Sequence, residues 1–376
     1  MKMKPKVIAY YLPQYHPFKE NDEWWGKGFT EWTNVARAVP LFEGHYQPHI
    51  PADLGFYDLR LPIVREQQVE LAKEAGVYGF CYWHYWFGNG KQLMANIFDE
   101  VLASGKPDFP FCLGWANHSW YAKNWNTKDS SLKDKLLIEQ TYPGKEDIRM
   151  HYEYVLKAFK DPRYIKQDGM PIFTIFSPNT IPSEYNFIEL WNQWAKEDGF
   201  EKGIYFVASY FVESLDEEER SRYFAKGYNA VIPARVNRDS FVSKKTRASY
   251  KVKAILNSHG VSTVFPMKKE YSQFFPFLAN KDVDKEENVI PTLIPNFDHS
   301  PRSKRAGLIL NNSTPELFQK HCEEIFENIR GKHNNLVWLR SWNEWGEGNY
   351  MEPDLKFGHG YLQALNNALR KEEGYE

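Results

Sequence analysis

The chain has 376 residues, with 47 Lys and Arg against 49 Asp and Glu, and a formal charge of −2. With 42% apolar and 26% charged residues, disorder, collagen-like repeats and coiled coils are excluded. There is no basic surplus to hold a phosphate backbone, so nucleic acid is not the expected ligand.

The elements alternate along the chain. Val7–Tyr11 reads as a strand, and Leu61–Ala75 as a helix that Gly76 can cap. Val77–Tyr82 is the next strand, and Gln92–Ala103 the next helix. Strand Phe111–Trp115, helix Lys145–Lys160, strand Pro171–Phe176 and helix Tyr185–Lys196 follow. Strand Ile204–Ser209, helix Glu217–Lys226 and strand Ala230–Pro233 come next. After an interruption come strand Val289–Ile294, helix Pro315–Ile329, strand Leu336–Ser341 and helix Tyr361–Lys371. Strands alternating with helices imply a parallel sheet, and eight such units fit an α/β fold of the (β/α)8 TIM-barrel type, one catalytic domain over 1–376. A doubly wound open sheet is the alternative, but Tyr11-Leu12-Pro13-Gln14 stands where its glycine-rich phosphate loop belongs. The βα loops are long, above all the first, and a Lys-, Ser- and Phe-rich elaboration at about 237–288 follows strand six. It reads as a solvated surface segment or as a lid.

Three scattered cysteines, Cys81, Cys112 and Cys322, form neither a disulfide framework nor a zinc pattern. No run approaches the roughly 18 apolar residues of a membrane span. The first apolar stretch ends at Pro13, too soon for a signal sequence. A soluble cytoplasmic protein with free thiols is expected. Aromatic residues make up 16% of the chain, and many lie in turn-rich stretches such as Asp22–Trp32 and Trp115–Trp125. Rings outside apolar stripes suit a ligand with flat apolar faces and a polar rim, such as a sugar.

Barrel chemistry sits at the C-terminal ends of the strands. There the eighth strand runs into Trp342-Asn343-Glu344-Trp345-Gly346-Glu347-Gly348. Glycoside chemistry needs two carboxyl groups, which makes Glu344 and Glu347 the candidate catalytic pair, with Trp342 and Trp345 able to raise one pKa by desolvation. An acidic surface loop is the bland alternative. The other candidates for substrate binding also lie at strand ends or in βα loops: Tyr11, Gln14 and His16; Glu31 and Trp32; Tyr82, Trp83 and His84; Asn117 and Trp120; Asp298 and Arg302; and Trp342, Asn343 and Tyr350. The histidines show no metal-binding spacing, and neither a metal nor another cofactor is expected.

The Trp-Asn-Glu-Trp-x-Glu-Gly run with Met351-Glu352-Pro353 resembles the signature of glycoside hydrolase family 99-like domains. The whole chain resembles the WbsX-type proteins of bacterial surface-polysaccharide gene clusters. Ala9–Pro17, Trp25–Val35, Gly44–Pro48, Gly79–Phe87, Trp115–Trp120 and Asn296–Arg302 carry the likeness over nearly the full length. At His118-Ser119 many relatives have Glu-Asn instead. The resemblance implies a barrel acting on an α-linked, mannose-type glycan. It also implies that Glu344 acts as base on a sugar 2-hydroxyl and Glu347 as acid to the leaving glycoside. Three readings follow: an endo-glycosidase or transglycosylase, a glycosyltransferase of lipopolysaccharide, O-antigen or capsule synthesis, and a non-catalytic glycan-binding module. Retention of both carboxylates argues against the last. The expected partners are an oligosaccharide or polysaccharide substrate and, peripherally, membrane-bound glycan assembly machinery.

Overall fold

The computed structural model describes residues 4–122, 135–209, 217–236 and 266–374. Eight strands run parallel in the order β6-β5-β4-β3-β2-β1-β8-β7. They are β1 (Lys6–Tyr11), β2 (Gly79–Trp86), β3 (Phe111–Trp115), β4 (Met170–Ile175), β5 (Tyr205–Ser209), β6 (Ala230–Ile232), β7 (Thr292–Leu293) and β8 (Leu336–Leu339). The ring closes between β6 and the approach to β7: Val231 bridges Val289 in parallel, and the Val231 and Ile290 amides donate to Asn288 and Val231 carbonyls at 2.9 Å. The eight strands lie where the sequence places them. Only β7 is much shorter than expected, because Pro291 in its first half has no N–H for a ladder.

Helices α1 (Pro62–Ala75), α2 (Ala95–Ser104), α3 (Lys145–Phe159), α4 (Phe187–Glu197), α5 (Glu217–Ala225), α6 (Pro315–Asn328) and α7 (Gly360–Glu373) cover the barrel. Their ends follow local chemistry. Pro62 occupies the first turn of α1, and Gly76 closes it at φ 76° with its N–H on the Ala72 and Lys73 carbonyls, a conformation only glycine adopts cheaply. Thr314 caps α6 by accepting from the Leu317 amide at 3.3 Å. The strands are buried on both faces, as in the wholly buried Tyr205–Ser209, which is why they read as unbroken apolar runs.

Side chains in a strand alternate between faces, and here the alternation decides what faces the barrel axis. Tyr10 stacks on Trp83 inside the barrel at 4.3 Å between ring centroids. Tyr11 points outward, its hydroxyl donating to Gln68 of α1 at 2.7 Å. Tyr82 packs outward against Phe98 of α2, and His84 meets His151 of α3 with 2.8 Å between Nε2 atoms.

Residues 237–265, with Lys244, Lys245, Lys251 and Lys253, lie outside the described residues, as does Trp125. The rest of the expected elaboration is ordered against the barrel. Met267–Glu270 pairs in parallel with Leu308–Asn311, and the helix Tyr271–Leu278 forms a small core with Val236, Ile294, Phe297 and Leu310. Cys81, Cys112 and Cys322 are free and buried. Among the described residues no helix is long and apolar enough to cross a membrane.

Candidate active site

The segment after β8 is pinned to β1 before it carries any chemistry. The Trp342 amide donates to the Tyr10 carbonyl at 2.7 Å. The Asn343 side chain then mimics a strand: its Oδ1 accepts from the Leu12 amide at 2.8 Å and its Nδ2 donates to the Leu12 carbonyl at 3.1 Å. Asn343–Glu344 pairs antiparallel with Asn349–Tyr350, and Trp345–Glu347 makes one tight turn between them. Gly348 ends that turn at φ 57°, and a Cβ there would lie 2.9 Å from the Asp298 Cβ. Both carboxylates therefore sit on a short, backbone-locked hairpin.

Glu352 anchors this hairpin from beneath. Its carboxylate accepts from the Trp345 indole at 2.6 Å, Tyr57 hydroxyl at 2.9 Å and Gln68 amide at 2.6 Å. Burial nevertheless lifts its pKa to about 7, since neutral donors stabilise a charge less than a cation does. Trp345 stacks on Tyr350 at 3.7 Å, and Tyr350 donates to Asp354 at 2.7 Å.

Arg302 binds three carboxylates at once. Its Nη2 donates to Glu344 at 2.8 Å, its Nη1 to Glu347 at 2.8 Å and its Nε to Glu31 at 2.9 Å. Gln14 donates to the other Glu31 oxygen at 3.3 Å. Glu347 also faces Arg340 at 3.8 Å and the His299 Nε2 at 3.7 Å. The two members of the pair titrate in opposite directions. Burial raises Glu344 well above the usual carboxylate range against the pull of Arg302, with the charges of Glu347 and Glu31 adding to the rise. Burial also pushes Glu347 up, but Arg302, His299 and Arg340 outweigh it and hold Glu347 below that range. Of the two, Glu344 therefore holds a proton more readily than Glu347.

Glu344 and Glu347 open onto a cavity of about 450 Å³ at the C-terminal end of the strands, within the roughly 300–1,000 Å³ of ligand pockets. Gln14, Trp83, Trp120 and Arg302 line it, as the sequence suggested. Glu31 lies buried just behind, held by Arg302.

Other expected contacts are corrected. Tyr11, Tyr82 and His84 occupy the outward strand face, so they fill the barrel–helix interface instead. His16 packs against Phe18. Trp32 donates to the Tyr57 carbonyl at 2.8 Å and packs against Trp345. Asn117 clips β3 to the end of β4, exchanging bonds with the Ser177 carbonyl and amide at 2.9 and 2.7 Å. Asp298 is closed off by His45, Gln47 and the Ser300 amide. Trp342 lies against Phe80. Asn343 and Tyr350 hold the hairpin as described above. These residues support the wall without lining it.

The cavity also uses residues that the sequence reading passed over: Tyr10, Tyr85, His118, Phe176, Ile232 and Arg340. Strand parity was the signal that could have found them. Positions 10, 12 and 14 share one face, as do 83 and 85, whereas 11, 82 and 84 share the other.

Paired carboxylates thus stand at the rim of a parallel α/β barrel, beside an aromatic cavity. The chain belongs to the family described as "Glycosyltransferase WbsX", whose model matches residues 7–365. It is 31% identical over 371 residues to a protein named "Uncharacterized protein WxcX" in two strains of Xanthomonas campestris pv. campestris, with 97% of this chain and 50% of the relative covered. The chain thus spans about half the length of these curated relatives. Its fold is similar to a GH99 endo-alpha-mannosidase from Bacteroides thetaiotaomicron, with a TM-score of 0.56 and 14% identity over 98% of each chain. It is also similar to a "Glycoside hydrolase-like protein", with a TM-score of 0.57 and 14% identity over 98% of this chain and 94% of the other. These likenesses establish the barrel.

Proposed function

We propose that the enzyme cleaves or transfers within an α-linked bacterial surface glycan as an endo-glycosidase or transglycosylase, with Glu344 and Glu347 carrying the proton transfers. The observation that supports it is the carboxyl pair that Arg302 bridges, whose two members shift in opposite directions, Glu344 up by burial and Glu347 down under Arg302, His299 and Arg340. In the route that the family resemblance implies, Glu344 takes the proton of the sugar 2-hydroxyl. The freed oxygen closes on the anomeric carbon as the glycosidic C–O bond breaks. Glu347 gives its proton to the departing oxygen. Water, or a sugar hydroxyl in transfer, then opens the three-membered ring at the anomeric carbon and loses its proton to Glu347, while Glu344 gives its proton back to the 2-oxygen that the opening frees, and the pair returns to its starting state.

That route needs the proton on Glu347, whereas burial makes Glu344 the readier of the two to hold it. Arg302 accounts for the difference. A glycosidic oxygen entering between Arg302 and Glu347 would remove the contact that keeps Glu347 ionised, leaving burial to raise its pKa.

Leaving-group dependence tests the assignment. Glu347→Gln is expected to lose about 100-fold or more in kcat/KM on oligosaccharides and far less on activated aryl glycosides. Glu344→Gln is expected to lose similarly on both. Equal loss on both substrates in Glu347→Gln would remove Glu347 as the acid.

The family description supports a second reading, transfer from a nucleotide sugar. Such an enzyme must stabilise a departing diphosphate, but Arg302 is committed to three carboxylates that would repel one. Calorimetry with nucleoside diphosphates, with and without divalent metal, is expected to show no micromolar binding. Saturable binding that vanishes in Arg302→Ala would establish the transferase instead.

A further inference from the structure

Glu352 is buried beneath the hairpin and does not line the cavity, and the chemistry proposed above leaves it unused. Its oxygens meet donors from three separate segments. Oε2 accepts from the Trp345 indole of the hairpin and from the Tyr57 hydroxyl, and Oε1 accepts from the Gln68 amide of α1. Two of these donors reach further. Tyr57 Oη also accepts from the Asn343 Nδ2 at 3.3 Å, and Gln68 Oε1 accepts from the Tyr11 hydroxyl of β1. Glu352 therefore ties both sequence neighbours of Glu344 to α1 and β1, Trp345 directly and Asn343 through Tyr57.

This arrangement accommodates a charge but not a proton. The indole and amide N–H groups can only donate. A proton on Oε2 could turn only to Tyr57 Oη, and the Tyr57 hydroxyl hydrogen would then lose its acceptor. A proton on Oε1 requires Gln68 to flip. The flip sets the Gln68 amino group against the Tyr11 hydroxyl, whose own hydrogen is stranded in turn. Each protonated arrangement leaves a buried donor unpaired among the described residues, which is costly. Only the carboxylate satisfies all three donors at once.

The ionisable neighbours do not change this near neutral pH. Burial holds Tyr57, Tyr11 and Tyr15 well above their usual range, so they stay neutral. Arg65, one turn before Gln68 on α1, is turned to the Leu59 carbonyl and to Glu100. Asp354 takes the Tyr350 hydroxyl and the Lys356 and Phe357 amides. Glu344 stands on the cavity side. Burial lifts the Glu352 pKa to about 7, so the proton that the network cannot place is taken up just below neutral pH.

We propose that Glu352 is a positioning residue whose ionised form holds the hairpin, so that its protonation releases Trp345 and Tyr57 and displaces Glu344 and Glu347 from their working geometry. This rests on the reading that those two carboxyl groups do the chemistry. The anion is present above about pH 7 and is lost as the pH falls through that value.

The test has one arm without substrate and one with it. In the first, the full chain is isotope-labelled at the tryptophan indole nitrogens, and the Trp345 resonance is identified by NMR as the one missing from Trp345→Phe. It is expected to titrate with a midpoint near pH 7 and to stay still from pH 5 to 9 in Glu352→Gln. In Tyr57→Phe, which takes a donor from the anion, the midpoint is expected to rise by about one unit. In the second arm, kcat/KM is measured on α-mannosyl oligosaccharides. Glu352→Gln is expected to lose about 10- to 100-fold at pH 8. It should lie much closer to the wild type at pH 6, where the wild type carries the proton too. A Trp345 indole that does not titrate, that still titrates near pH 7 in Glu352→Gln, or whose midpoint is unmoved in Tyr57→Phe overturns the proposal. So does an equal loss at pH 6 and pH 8, the mark of a merely structural residue. If the wild type cleaves no oligosaccharide at any pH, the reading of the reaction falls, and the indole midpoints decide the hairpin proposal alone. If Glu352→Gln does not fold, the wild type and Tyr57→Phe decide.

Discussion

At the scale of single residues, the site depends on what is absent at position 346. A Cβ on Gly346 would lie 2.5 Å from the Glu31 Oε1 and 2.8 Å from the Arg302 Nε. Both atoms belong to one ion pair, and neither is the free end of a flexible chain, because Arg302 is also held by Glu344 and Glu347. Gly346→Ala must therefore push Glu31 and Arg302 apart or lift the hairpin. Either movement shifts the carboxylates relative to bound sugar, and a displacement near 1 Å can cost about 100-fold in rate. We expect kcat/KM to fall by about 10- to 100-fold with little loss of stability, because the fold's apolar core is untouched. The loss should also come with a displaced acid limb of the pH–rate profile, since Arg302 would no longer hold Glu347 down to the same extent. Activity and pH profile both unchanged would show that the Glu31–Arg302 pair has no part in setting the geometry.

At the scale of elements, two adjacent residues of β2 separate structure from binding. Tyr82 faces α2 and is buried between Phe98 and Phe111, while Trp83 faces the cavity and stacks on Tyr10. Tyr82→Ala is expected to cost about 3–5 kcal/mol of stability, as for other large core truncations, with KM unchanged. Trp83→Ala is expected to raise KM about tenfold, with a smaller loss of stability, because its ring is only partly buried. Denaturant midpoints and Michaelis parameters for the two variants check this, and a shared pattern would refute the inward and outward assignment. The same contrast shows how far the sequence could be read. All eight strands were legible, since parallel strands buried on both faces read as apolar runs. That same property hid their orientation: where both faces are apolar, hydropathy no longer marks the inner one. Tyr11, Tyr82 and His84 were therefore expected at the site when their neighbours Tyr10, Trp83 and Tyr85 line it. The carboxylate pair was legible because Glu344 and Glu347 follow a strand directly. The triple engagement of Arg302 was not, since its partners come from the β1 loop and from β8, up to 271 residues away.

At the scale of the whole molecule, buried histidines should set the response to acid. Burial pushes His84 and His321 down to about 3 and His118 to about 4, and it holds His151 well below the usual range with His84 adding to the fall. His16, His49 and His299 shift the same way. His84, His118, His151 and His321 are neutral in the folded chain at pH 5 but take a proton once unfolded, below about 6.5. Between those values the unfolded state binds more protons, so the stability these groups confer is present above about pH 6.5 and lost as pH falls. Glu344 and Glu352 act in the opposite sense, since their raised pKa values make the folded chain hold protons that the unfolded chain has already released. Asp284 and Glu324 shift up as well, while Asp298 and Glu347 are held low and side with the histidines. Each proton that only the unfolded chain binds is worth about 1.4 kcal/mol per pH unit. We therefore expect the melting temperature to be highest near neutral pH and to fall steeply between pH 6.5 and 4.5. His321 offers a separate check, because its ring packs against Phe275 and Phe318. His321→Leu should flatten the acid limb by about one proton's share. A melting temperature constant from pH 7 to 5, or an unchanged slope in His321→Leu, would show that these histidines do not govern acid stability.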